Sequence, residues 1–303
     1  MRLTADREGR ITEEDSRQDR ILEWLYSHRT GRLLLRPLVS AAFSRIGGRA
    51  ADSRVSRLLI PGFIRGHAID MSQYQPKEYR SYNDFFSRKL AGGARSVNGE
   101  PGALVSPCDG RLSVRKITGD CVFKIKHTAY TVESLLGDRT LAAEYAGGYV
   151  WIFRLQVEDY HRYIYVDEGA VILQKEIPGV FHTVNPVAND CYPIYKENTR
   201  AFCVLQSAHF GRLVQMEVGA MLVGKIVNHS RGKRVRRGWE KGYFAFGGST
   251  VVLLTRKGTV CPDRDIRENS AGGIETRVRL GERVGYAVTS GRKPDGSDLF
   301  RKR

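Results

Sequence analysis

From Leu104 onward the sequence changes its period. Apolar residues alternate with polar ones or gather in short runs, and Gly, Asp, Asn and Pro punctuate them. The pattern predicts strands at 111–117, 121–126, 149–157, 161–166, 169–177, 200–206, 212–218, 220–228, 243–255 and 283–288. Within this region only residues 131–136 read as a helix. The predicted fold class is therefore α+β and mostly β. An antiparallel β-sandwich or barrel-like core occupies 76–303, with helices gathered at one end.

The first 75 residues read differently. Residues 1 to about 15 alternate acids and bases and are expected to form a solvated tail. Ile21, Leu22, Leu25 and Tyr26 share one helical face. A second apolar stripe runs from Leu33 through Leu38, Ala42 and Phe43 to Ile46; Pro37 interrupts it and Gly47-Gly48 ends it. Arg29, Arg32, Arg36, Arg45, Arg49, Arg54, Arg57 and Arg65 are threaded through these stripes. Apolar faces with interleaved arginine suit either an anionic lipid surface or a helical subdomain packed on the core. A third helix is expected over 79–90, where Tyr79, Tyr82, Phe85, Phe86 and Leu90 line up.

One predicted strand is chemically odd. The run Gly-Tyr-Phe-Ala-Phe-Gly-Gly-Ser-Thr at 242–250 places two glycines inside an apolar strand pattern, directly before a hydroxyl. Glycine packs nothing and adds backbone freedom, so a strand interior carries it for a reason. One reading is a β-bulge with a hydroxyl on it. The other is chemistry on the backbone: Ser249 Oγ attacks the unshielded Gly248 carbonyl, the amide becomes an ester, and β-elimination cuts the chain. The dehydroalanine left behind would then become a pyruvoyl group.

Composition narrows the partners. A net charge of +16 over 303 residues points to anionic lipid, nucleic acid or an acidic substrate. The 41% of hydrophobic residues are enough for a full core. Cysteines at 108, 121, 191, 203 and 261 form no Cys-x-x-Cys pair and read as reduced thiols of a cytosolic setting. Residues 1–20 contain no apolar core of a secretory signal, and no run approaches the roughly 20 apolar residues of a membrane span. The seven histidines show no metal-ligand spacing, so no metal is expected. Neither a phosphate-binding Gly-x-x-x-x-Gly-Lys nor a Gly-x-Ser-x-Gly elbow occurs.

Four further constellations lie in the β region. Ser-Pro-Cys-Asp-Gly at 106–110 carries an Asp-Gly turn signal. Asp-Tyr-His-Arg at 159–162 places His161 beside an acid, as a general base or as a hydrogen-bonded structural histidine. Phe-His-Thr-Val-Asn-Pro at 181–186 supplies a second histidine, His182. Residues 231–241 hold six basic side chains and one acid, which suits either a solvated hairpin tip or a site for phosphate headgroups.

Taken in order, these motifs resemble the phosphatidylserine decarboxylase family. The resemblance rests on Asn-Asp-Phe-Phe-Ser-Arg-Lys-Leu at 83–90, Ser-Pro-Cys-Asp-Gly at 106–110, Asp-Tyr-His-Arg at 159–162 and Phe-Gly at 210–211. Val-Gly-Ala-Met-Leu-Val-Gly at 218–224 and Phe-Gly-Gly-Ser-Thr at 246–250 complete it. It implies a proenzyme that cuts itself between Gly248 and Ser249 into a long piece, 1–248, and a short piece, 249–303. The two stay together as a heterodimer, with homo-oligomers left open. Ser249 becomes the pyruvoyl group that forms a Schiff base with phosphatidylserine, releases CO2 and yields phosphatidylethanolamine. Such an electron sink needs neither pyridoxal phosphate nor metal. The resemblance makes Asp109 the acid that orients the processing base. The family pattern carries a second histidine three residues after the Asp-Tyr-His one; here that position is Ile164. The base is then His161 itself or His182. The expected location is peripheral, on the cytoplasmic face of the cell membrane, with the N-terminal region on anionic phospholipid. Two other functions compete: a soluble pyruvoyl-dependent amino-acid decarboxylase of the same family, and a non-catalytic basic nucleic-acid-binding module. The latter leaves Gly248-Ser249 unexplained, so no nucleic acid is expected as a partner.

Overall fold

The structure is a computed structural model, and it describes residues 2–14, 49–119, 122–125, 128–179, 198–219, 226–229, 232–245 and 249–288. Its strands, in chain order, are β1 (Arg2–Ala5), β2 (Ile11–Glu14), β3 (Ala103–Val105), β4 (Gly110–Lys116), β5 (Phe123–Ile125), β6 (Thr128–Tyr130), β7 (Tyr149–Leu155), β8 (Arg162–Ile164) and β9 (Gly169–Ile177). They continue with β10 (Arg200–Ser207), β11 (Gly211–Val218), β12 (Ile226–Asn228), β13 (Arg234–Val235), β14 (Glu240–Phe244), β15 (Ser249–Thr255), β16 (Val260–Pro262), β17 (Glu275–Val278) and β18 (Arg283–Ala287). The helices are α1 (Ile60–Gly66), α2 (Tyr82–Phe86), α3 (Val132–Leu136), α4 (Arg139–Ala143) and α5 (Arg264–Ala271).

A ten-stranded sheet dominates, in the order β13-β9-β10-β11-β15-β7-β4-β17-β1-β2. Its central strands are buried on both faces, so they read as nearly continuous apolar runs. Along β15, Val251 and Leu253 enter one core with Phe153, Leu155, Leu205, Leu213 and Tyr163. The alternate residues Val252 and Leu254 enter a second core with Ile152, Val204, Val214 and Met216. The second core is closed by α3, whose Thr131 and Ser134 form a reciprocal N-terminal cap. Gly137 ends α3 at φ 58°, a conformation that favours glycine. Two three-stranded sheets, β12-β14-β8 and β16-β18-β3, flank the large one.

Mostly β architecture is as expected, but the sheet is neither wholly antiparallel nor a barrel. β1 runs parallel to β17, which makes the sheet mixed. The strand order is open at β13 and β2. Those edges protect themselves without closure: β13 is only two residues long, and β2 is polar with Ile11, Thr12 and Glu13 exposed.

The first residues are likewise not a tail. Thr4 and Ala5 are buried beside β17, and Arg7 reaches Asp263 at 2.8 Å, Asp265 at 2.6 Å and Glu282 at 3.4 Å. One guanidinium shared by three carboxylates fixes a hairpin whose composition suggested solvent. The helices expected between residues 19 and 46 fall outside the described residues. The helix expected over 79–90 is shorter: Ser81 caps α2, and by Leu90 the chain forms a β-bridge with Tyr74. Helices α4 and α5 were not expected. α5 buries only Ile266 and so lacks a readable apolar stripe.

The predicted strand 243–255 divides into β14 and β15, in different sheets. Tyr243 pairs with Arg162 on β8, whereas Ser249 pairs with Leu155 on β7. The turn between β7 and β8 separates these partners, so no single straight strand could bond to both.

Candidate active site

That turn, residues 156–161, anchors the crossing chain from both sides. Before the crossing, the Phe244 N–H donates to the His161 carbonyl at 3.0 Å. After it, Ser249 enters the ladder opposite Leu155. Ser249 is 1% exposed and His161 is 0% exposed. A hydroxyl and an imidazole, 88 positions apart in sequence (249 minus 161), are thereby held at the two ends of one short turn inside the protein. Gly247 and Gly248 lie outside the described residues, as does His182.

Several side chains rigidify the turn. Asp159 accepts hydrogen bonds from the Gln156 N–H at 2.7 Å and from Arg111 Nη1 at 2.9 and 2.7 Å. Burial pushes the Asp159 carboxyl above its ordinary range, and Arg111 opposes that rise. Arg88 donates to the Glu158 carbonyl at 2.8 Å and to the Tyr74 hydroxyl at 3.2 Å, and it stacks over the Tyr74 and Phe85 rings. The Asp159 carbonyl lies 2.9 Å from His161 Nδ1. A carbonyl can only accept, so Nδ1 carries the hydrogen and the basic lone pair resides on Nε2. Phe86 backs the imidazole at a centroid distance of 3.9 Å. The motif at 83–90, whose apolar residues read in sequence as a helix face, thus supplies the wall and the clamp of the histidine pocket. Arginine inside an apolar motif was the available signal for Arg88; nothing in the sequence marked Arg111.

Asp109 ends the turn between β3 and β4. Ser106 Oγ donates to the Cys108 carbonyl at 2.7 Å, and the Ile164 N–H donates to the Pro107 carbonyl at 2.9 Å. Gly110 is required by close approach, since a Cβ there would stand 2.9 Å from the Arg154 carbonyl oxygen. Arg111 pairs with Arg154, so Gly110 is level with Leu155, and Leu155 pairs with Ser249. Asp109 and Ser249 consequently occupy the same end of the sheet, two strands or about 10 Å apart. The Asp109 carboxylate accepts from Arg95 Nε at 3.1 Å and Nη2 at 2.6 Å, and from the Leu280 N–H at 2.7 Å. The contact that orients Nδ1 of His161 comes from the Asp159 main chain, while Asp109 is engaged by Arg95. On its outer side Asp109 lines a polar pocket of about 180 Å³ with Arg95, Glu158, Asp159 and Arg279; Ser249 and His161 are not among its walls.

The basic run at 231–241 is only partly a surface feature. Arg237 binds the buried Asp167 carboxylate at 2.8 Å, and Lys241 is buried against Glu217. Lys233, Arg234 and Arg236 remain exposed. Burial raises the thiols of Cys108 and Cys203, the latter to about 11, so neither behaves as a thiolate nucleophile. Among the described residues no group of three or more His, Cys, Asp or Glu side chains is gathered where it could hold a metal ion.

Ser249, a histidine with a defined tautomer and a rigid turn thus lie at one end of the large sheet. A hydroxyl and a histidine in such surroundings are the residue types that acyl chemistry uses. Known proteins resemble the chain over most of its length. The sequence model of a family described as Phosphatidylserine decarboxylase matches residues 82–286. Phosphatidylserine decarboxylase proenzyme 2 of Clostridium acetobutylicum is 46% identical over 265 residues, 87% of this chain and 91% of its own. The phosphatidylserine decarboxylase proenzyme of Clostridium perfringens is 39% identical over 271 residues, 88% of this chain and 92% of the relative. That of Clostridium tetani is 37% identical over 277 residues, 90% and 93% of the two chains.

Proposed function

Because this chain belongs to the phosphatidylserine decarboxylase family, we propose that it is a self-processing carboxy-lyase that converts phosphatidylserine to phosphatidylethanolamine. The observation that carries the reading is the buried Ser249 hydroxyl at the start of β15, with His161 fixed at the far end of the turn whose other end pairs with Ser249.

Processing starts when His161 Nε2 accepts the Ser249 hydroxyl proton and Oγ attacks the Gly248 carbonyl carbon. The C–N bond breaks as the nitrogen takes up that proton, leaving an ester between Gly248 and Ser249 Oγ. Loss of the Ser249 Cα proton then expels the Gly248 carboxylate, and tautomerisation and hydrolysis release ammonia. The buried position of Ser249, at the edge of an apolar core, fits a pyruvoyl group of nearly the same size. When formed, that group supplies the ketone and adjacent carbonyl that accept the electron pair left at Cα as CO2 departs. In the mature enzyme the chain's own task is to exclude water and return a proton to that carbon. His161 is the group positioned for it. Asp109 supports the site from the turn before β4, two strands from Ser249, where Arg95 and the Leu280 N–H hold its carboxylate. His182 is the alternative base.

The substrate is lipid-borne. Val55 and Leu58 are 73% exposed and Leu59 is 64% exposed, with the exposed Arg54 and Arg57 among them. Apolar side chains at water with cations between them favour an anionic bilayer surface, in keeping with a peripheral location on the cytoplasmic face. No helix among the described residues is long and apolar enough to cross a bilayer. The protein is expected to float with phosphatidylserine vesicles at low salt and to be released as salt shortens the Debye length from about 30 Å at 0.01 M towards 3 Å at 1 M. Failure to float at low salt would remove the docking role.

Substrate class is tested by CO2 release. Phosphatidylserine in mixed micelles is expected to give CO2 and phosphatidylethanolamine, whereas free serine and free aromatic amino acids give none above background. Release from a free amino acid without lipid would decide for a soluble amino-acid decarboxylase.

A further inference from the structure

One buried carboxylate, Glu217, takes no part in the steps described so far. Glu217 lies on β11 opposite Val251 of β15. Ser249 stands two residues before Val251, so its side chain shares the sheet face of Glu217, and the two are diagonal cross-strand neighbours. Diagonal Cα atoms are roughly 7–8 Å apart, within reach of a glutamate. Glu217 is 0% exposed, and its Oε1 has no hydrogen-bond partner among the described residues. Oε2 accepts from Lys241 Nζ and from Asn228 Nδ2 at 3.2 Å. Lys241 is 2% exposed and belongs to β14, the strand that ends just before the crossing. The Tyr163 hydroxyl completes the network by donating to Asn228 Oδ1 at 3.0 Å.

A buried ion pair is a poor stabiliser, because desolvating both charges offsets their attraction; apolar replacements of similar volume are often neutral or better. Stability therefore does not explain a Lys–Glu pair at this place. Position does. Elimination at Ser249 requires a base for the Cα proton after the acyl shift, and the same proton is needed one atom away when the dehydroalanine becomes an iminium. Burial raises the Glu217 carboxyl while Lys241 pulls it back, a balance that suits a group taking up and returning a proton.

We propose that Glu217 is the proton-transfer residue of the elimination step in maturation, a role that rests on the self-processing reading. Its carboxylate removes the Ser249 Cα proton. The electron pair forms the Cα–Cβ double bond, the Cβ–Oγ bond breaks, and the Gly248 carboxylate leaves with those electrons. The protonated Glu217 then delivers its proton to Cβ. The resulting iminium is hydrolysed by water to the ketone and ammonium, and Glu217 is again a carboxylate. Lys241 favours the ionised form that Glu217 needs before the first transfer and regains after the second.

The test uses the full chain with Glu217→Gln, Glu217→Asp and the apolar pair Glu217→Leu/Lys241→Met. In Glu217→Gln, maturation is expected to slow about 10²–10⁴-fold, the usual worth of a positioned proton carrier, with the ester accumulating. Neutral hydroxylamine then cuts that variant into a 1–248 hydroxamate and a short chain that still begins with serine. Glu217→Asp recovers part of the rate. The apolar pair retains the wild-type melting temperature and stalls at the same ester; it decides the matter should Glu217→Gln fail to fold. Maturation at the wild-type rate overturns the proposal. So does a folded variant that stays uncut with no hydroxylamine-sensitive bond, since its block precedes elimination. A wild-type chain that never cuts instead sinks the self-processing reading itself.

Discussion

Ser249→Ala is expected to leave the chain whole and its decarboxylase activity at background. Both the cut and the electrophile descend from one hydroxyl, so its loss removes every later step rather than slowing one. The fold should survive. The substitution deletes a single oxygen at the start of β15, and the cost of an ordinary hydrogen bond is about 0.5–1.5 kcal/mol. The ladder from Thr250 to Thr255 opposite β7 and β11 is made by the backbone and is untouched. A denaturing gel, a melting curve and the CO2 assay on one preparation check this. Activity above background in a chain lacking the hydroxyl would mean that the electrophile has another origin.

His161→Ala carries the second largest effect. Processing is expected to fall about 10²–10⁴-fold, the range for loss of a positioned general base. His161 is fully buried, with Phe86 against one face and the Asp159 carbonyl on Nδ1. The variant therefore opens a ring-sized cavity against Phe86, and added imidazole should restore part of the cutting rate. His182→Ala is expected to process at close to the wild-type rate. The reverse outcome, with His161→Ala maturing normally and His182→Ala uncut, would transfer the base to the 181–186 loop. A His161→Ala chain that cuts but releases no CO2 would confine the residue to substrate protonation.

The sequence was informative wherever the signal was local. The patterns at 149–157, 200–206 and 212–218 identified β7, β10 and β11 to within two residues at each end, because a strand buried on either face must write its burial into every second residue or into an apolar run. Gly-Gly-Ser drew attention to the peptide before Ser249 because two glycines have no packing use in such a strand. What stayed hidden was non-local. Whether residues 243–255 form one strand or two depends on where β7 stops and β8 begins, nearly a hundred residues earlier. The clamp of Arg88 on the turn at 158–159 spans some seventy positions, and the group that orients His161 is a main-chain carbonyl, which no side-chain pattern reveals. The parallel pairing of β1 with β17 joins opposite ends of the chain, and its main anchor, Arg7, looked like one charge among many. Lys241 likewise read as part of a basic surface run until burial separated it from its neighbours.

Intact mass measurement of the freshly purified wild-type chain tests the central claim most directly. The account predicts two polypeptides, one comprising 1–248 with a free carboxyl end and one comprising 249–303 whose first residue has lost its amine and gained a ketone that hydrazine modifies. A single species with the mass of all 303 residues, stable on standing and inert to hydrazine, would contradict it.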